Sequence, residues 1–124
     1  MMKHLICLAF LFVGCVQNSN DNKILTEAAA YHSQAVALAK KVTYRIDSLN
    51  RISMNDKSKL MAIEKDFKEW ANDLVGVPGF EGEKNHDHEH SHEQIQATSS
   101  QLLDIQKELY HRIEKIHANL TNVK

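Results

Sequence analysis

Cysteine is nearly missing from this chain, and the two present stand at positions 7 and 15, ahead of every patterned segment. A disulfide or cysteine-metal framework downstream of residue 15 is therefore excluded. One proline and four glycines are too few for a fold built on tight turns, which argues against a sandwich or barrel and for helix. A net charge of -1, with both signs interspersed, leaves no basic stripe to neutralise phosphates, so nucleic acid is not a partner to expect. No glycine-rich phosphate loop, serine nucleophile elbow or pair of inward carboxylates is present. The sequence thus offers no residues for catalysis, and an enzyme is not expected. At 124 residues there is room for one domain.

What is present begins with a tripartite N-terminus: Lys3 within Met1 to His4, an apolar run from Leu5 to Val13, and Gly14 before Cys15. This is the pattern of a secretory signal. The run is too short for a spanning helix, which needs about 20 residues. Phe12-Val13-Gly14-Cys15 resembles a bacterial lipobox, with Phe12 where leucine is usual. The resemblance implies removal of residues 1–14 as signal peptide, acylation of Cys15 and anchoring to a membrane of the cell envelope, facing the periplasm or the cell surface. Palmitate or similar chains suffice energetically, at about 0.8 kcal/mol per buried methylene, once two or more are attached. Cys7 would leave with the signal. Residues 15–23 then read as the lipidated cysteine and a polar tether.

Beyond the tether, apolar residues recur every three or four positions. Ala28, Tyr31, Ala35, Leu38, Val42, Ile46, Leu49 and Ile52 mark a first amphipathic helix from Ile24. Ser53-Met54-Asn55-Asp56 breaks the pattern and supplies cap candidates. Leu60, Ile63, Phe67, Trp70 and Leu74 mark a second helix from about Asp56 to Val75, stopped by Gly76-Val77-Pro78-Gly79. A polar connector over residues 80–92 leads to Ser91 and Gln94, a capping-box pair. A third helix follows to about Val123 through Ile95, Leu102, Ile105, Leu109, Ile113, Ile116 and Leu120. Residues 24–124 are expected to form an all-α domain, an antiparallel three-helix bundle in up-down-up order. The alternative is a helical hairpin that forms a homodimer, because the short second helix leaves seam on its longer neighbours.

Lipobox, long helix, a second helix bearing Phe67-Lys68-Glu69-Trp70, a loop and a final long helix also resemble small bacterial lipoproteins labelled "viral A-type inclusion protein". That resemblance implies the helical plan and assigns no activity.

Four of eight histidines, His86, His88, His90 and His92, alternate with Asp87, Glu89 and Ser91. Neutral imidazole is the commonest protein ligand for zinc, copper and nickel, and carboxylates can complete or orient the shell. An extended strand would put all four rings on one side, whereas a helix would pair His86 with His90 and His88 with His92. Two readings stay open: a metal-binding loop made of these four histidines with Asp87 and Glu89, or a solvated linker in a lipoprotein whose helical seam docks another envelope protein. Glu108 with His111 and Glu114 with His117 have the spacing of di-iron pairs, but 240° of helical rotation separates the two histidines, so the pairs diverge. Phe67 and Trp70 have seam spacing and are expected in the core. His32 falls on the flank of the first helix.

Overall fold

The structure, a computed structural model, describes residues 19–52, 56–80 and 96–123. Three helices account for most of them: α1 (Ser19–Asn50), α2 (Lys57–Asp73) and α3 (Ser99–Thr121). The fold is an all-α three-helix bundle.

Contacts fix the order. Along α1 and α3, Asp21 meets Ser99, Glu27 meets Lys107 and Tyr31 meets Tyr110, so these two helices run parallel. Lys59 reaches the Asn122 carbonyl while Asp73 pairs with Arg112, so α2 runs the other way along α3. The up-down-up arrangement follows. It is uneven: α3 is the spine, and both other helices lie against it. Between α1 and α2 the tie that stands out is polar, Asn50 Nδ2 donating to Glu64 Oε1 at 2.6 Å.

The seam spacing explains which faces meet. Buried positions on α3 step by four and three through Leu102, Gln106, Leu109, Ile113, Ile116 and Leu120, and on α1 Ala28, Ala35, Val42 and Leu49 recur every seventh residue. A repeat of seven keeps one stripe of a helix facing its neighbour over several turns. Most of the interior is one cluster running from Ala35 to Val123, with Trp70 its largest side chain. Phe67 lies parallel to the Trp70 ring, centroids 5.8 Å apart. The indole Nε1 donates to the Leu109 carbonyl at 2.8 Å, so the one polar atom of that large side chain is satisfied inside the core.

The helix limits differ from those the apolar pattern implies. Ser19 to Lys23, expected as tether, are the first residues of α1. Polar residues tolerate a helix start exposed to water, and the Asp21 carboxylate accepts from the Ser99 hydroxyl, tying that start to α3. The third helix opens at Ser99, whereas Ser91 and Gln94 lie outside the described residues. Its capping box is Thr98 with Gln101: the Thr98 hydroxyl accepts from the Gln101 amide, and the Gln101 side chain accepts from the Thr98 amide. The same signature occurs at both places in the sequence. The one next to Leu102, the first residue of α3 to be buried, is the one used. At α2, Asp56 occupies the cap position without a side-chain cap bond.

After Asp73 the chain turns extended and stays bound to the bundle. Phe80 N–H donates to the Val77 carbonyl at 3.1 Å, and Gly79 has φ +78°, the geometry of a type II turn with Pro78 ahead of the glycine. Val77 is thereby pressed between Ala28 and Leu102, forming a second, smaller apolar cluster. Among the described residues no helix is long and apolar enough to cross a membrane.

Candidate functional site

Cys15, His86, Asp87, His88, Glu89, His90 and His92 lie outside the described residues. The bundle does define where the histidine stretch is attached. Its leading end leaves from Phe80, behind the turn that seats Val77; its trailing end enters at Gln96, just before the Thr98 cap and the Ser99–Asp21 bond. Both attachments therefore sit at one end of the molecule, beside the start of α1. This is the connector end; the opposite one, holding the α1–α2 turn, is the turn end.

One polar side chain penetrates the core near the connector end. Gln106 is fully buried, and its amide group is used at both atoms. Nε2 donates to the Val75 carbonyl at 2.8 Å, which leaves Oε1 facing His32 Nδ1 at 3.2 Å. An oxygen can only accept, so the imidazole must carry its proton on Nδ1 in this arrangement. Gln106 thus links α1, α3 and the extended exit of α2. Among the described residues no buried side-chain polar atom lacks a partner.

Outside this link, a charged and aromatic strip runs along the α1–α3 groove. Lys107 Nζ lies 5.5 Å from the centre of the Tyr31 ring and 3.2 Å from Glu27 Oε1. Tyr31 meets Tyr110 edge-on, with centroids 5.7 Å apart. Glu114 accepts a hydrogen bond from His111 Nδ1 at 3.1 Å. That bond, followed by the influence of the Tyr110 hydroxyl, holds the Glu114 carboxyl below its ordinary value. The Tyr110 phenol is raised in turn, first because Glu114 favours its protonated, donating form and then by desolvation.

The Glu-x-x-His spacings on α3 do not gather inward. His111 is 70% exposed and is bonded to Glu114 rather than to Glu108, which is itself exposed. His117 is half-buried on the flank. Among the described residues no group of three or more histidine, cysteine, aspartate or glutamate side chains could hold a metal ion.

Gln106 was not marked by the apolar pattern, which passes through Ile105 instead. Both routes from Leu102 to Leu109 use steps of three and four. Only continuation at alternating four and three, through Ile113, Ile116 and Leu120, selects 106, and a glutamine there is the signal of a polar contact inside the seam. No protein family, no curated protein and no solved structure matches the chain.

Proposed function

We propose that the chain is a lipid-anchored helical protein of the cell envelope, not an enzyme, that binds a divalent transition metal ion through its histidine stretch. His86, His88, His90 and His92 are the ligands, with Asp87 and Glu89 completing or orienting the shell around zinc, copper or nickel. The observation that carries the reading is the alternation of four imidazoles with carboxylates within seven residues. Attachment of both ends of the connector to a bundle with its own core supports it further, because metal binding then need not fold the domain.

A zinc titration tests this. The variant with all four histidines replaced by alanine should keep the helical spectrum of the parent and lose the binding, whereas alanine at His111 and His117 should change little. Coordination needs neutral imidazole, so affinity should fall as pH drops through about 6.5. Undiminished binding by the quadruple variant would make the stretch a linker. The anchor has its own test: Cys15→Ser should abolish incorporation of labelled fatty acid and retention with membranes.

A second reading is favoured by a separate observation. Large apolar side chains stand in solvent, Tyr44 on α1 at 79% and Met61 on α2 at 60% exposure. In that reading the protein docks another envelope protein, or a second copy of itself, by a helical face. Sedimentation of the parent and of a Tyr44→Glu, Met61→Glu variant separates it from the first.

A further inference from the structure

The two ends of the bundle differ in their distance from Cys15. Only residues 16–18 stand between that cysteine and the first residue of α1, and a chain extends by at most about 3.5 Å per residue, so Ser19 lies within about 14 Å of Cys15. Ser19 belongs to the connector end. There Ser99 is bonded to Asp21, and the Val77 turn rests on Ala28 and Leu102 with the Phe80 ring 43% exposed. The turn end is remote, since the 32 residues of α1 rise about 48 Å.

Resting on the reading of Cys15 as acylated, we infer that the bundle meets the lipid headgroups with its connector end, so that residues 77–80 and 96–99 adjoin the bilayer and the α1–α2 turn projects away. Along the flanks the exposed apolar side chains stand singly among charges, Tyr44 on α1 with Lys40, Lys41 and Arg45 and Met61 on α2 with Lys57 and Lys65, so they form no continuous apolar face. A helix that lies flat at an interface needs an apolar face turned to the lipid. The apolar stripes of α1 and α3 are buried against each other, and their outer positions carry Lys40, Lys41, Arg45, Asp47, Asp104, Glu108 and Lys115, all exposed. Phe80, by contrast, presents its ring at the very end that the short tether holds close, where contact with the interface removes apolar surface from water.

The orientation is testable on the full precursor expressed in a bacterium, carrying either Ala97→Cys or Arg51→Cys. Both positions are exposed, and in the processed, acylated protein each introduced cysteine is the only free thiol, because Cys7 departs with the signal and Cys15 is blocked. The purified proteins are labelled with a fluorophore and placed in phosphatidylethanolamine and phosphatidylglycerol vesicles bearing a headgroup nitroxide. The label at position 97 should lose most of its emission relative to nitroxide-free vesicles, and the label at position 51 should keep it. Equal loss at both positions would mean a bundle lying flat, and greater loss at 51 an inverted one; either overturns the orientation. A protein whose mass shows no acyl group on Cys15 overturns the anchor itself, and with it the orientation, so the two failures are told apart.

Discussion

Around Trp70 the interior is built from twelve buried residues, most of them large and apolar, whereas around Val77 three buried residues, Ala28, Val77 and Leu102, do the same task. The connector end adds polar ties of smaller energetic weight: the Gln106 amide, the Ser99–Asp21 bond, the Thr98 capping box and the Lys107–Glu27 pair. Apolar burial is roughly proportional to area and tolerates small displacements, while hydrogen bonds fix positions. The turn end therefore supplies most of the stability. The connector end supplies alignment where the chain leaves and re-enters the bundle.

The largest blow to this contrast is Trp70→Ala. It removes the biggest core side chain together with its bond to Leu109, and should destabilise by about 3 to 5 kcal/mol in urea denaturation. A loss under about 1 kcal/mol would show that the large cluster does not dominate. Next comes Gln106→Ala, at the junction of the two clusters. Leaving the Val75 carbonyl without its Gln106 donor should cost about 1 to 3 kcal/mol. Hydrogen exchange sharpens the result: the Phe80 amide should lose protection beyond the global change, because the segment it closes is the one released. Val77→Ala should cost about 1 to 2 kcal/mol by loss of two buried methyl-sized groups, the smaller figure that a smaller cluster implies.

The least effect is expected on the exposed strip. Glu114 titrates below its ordinary 4.5 in the folded chain, so its contribution is present above pH 4.5 and is lost as pH falls through the depressed folded value. Glu114→Gln should accordingly lower the urea midpoint slightly at pH 7 and by less at an acidic pH below 4.5. An equal gap at both values would show that the strip acts by shape rather than charge.

The fold was legible because each helix announces itself by one seam: Leu60, Ile63 and Trp70 were marked by spacing alone and all are buried. The parts that spacing misses are those decided by competition between near-equal local signals. Ile105 and Gln106 both fit a helical step, and only the parallel approach of α1, with His32 facing position 106, buries the glutamine. Val77 reads in sequence as part of a helix stop. It becomes core because the Pro78–Gly79 turn folds it back onto Ala28, a contact between residues far apart in the chain. Two capping-box signatures precede the third helix, Ser91 with Gln94 and Thr98 with Gln101, and α3 opens at the second. For the histidine stretch and Cys15, which lie outside the described residues, the reading stays with sequence pattern: imidazoles alternating with carboxylates, and a lipobox-like run behind an apolar segment.

The parallel pairing of α1 with α3 also sets the order of events when the chain is made. Partners across that pair are 74 to 80 residues apart in sequence, from His32 with Gln106 to Glu27 with Lys107, while the neighbours α1 and α2 share little surface. Nothing can close early. Until α3 has been synthesised, the first two helices lack the surface that buries their seams, and in proteins most helical stability comes from such packing. Closing so long a loop then slows the search for the native pairing. A nascent chain with this topology lacks its packed core until its last helix emerges.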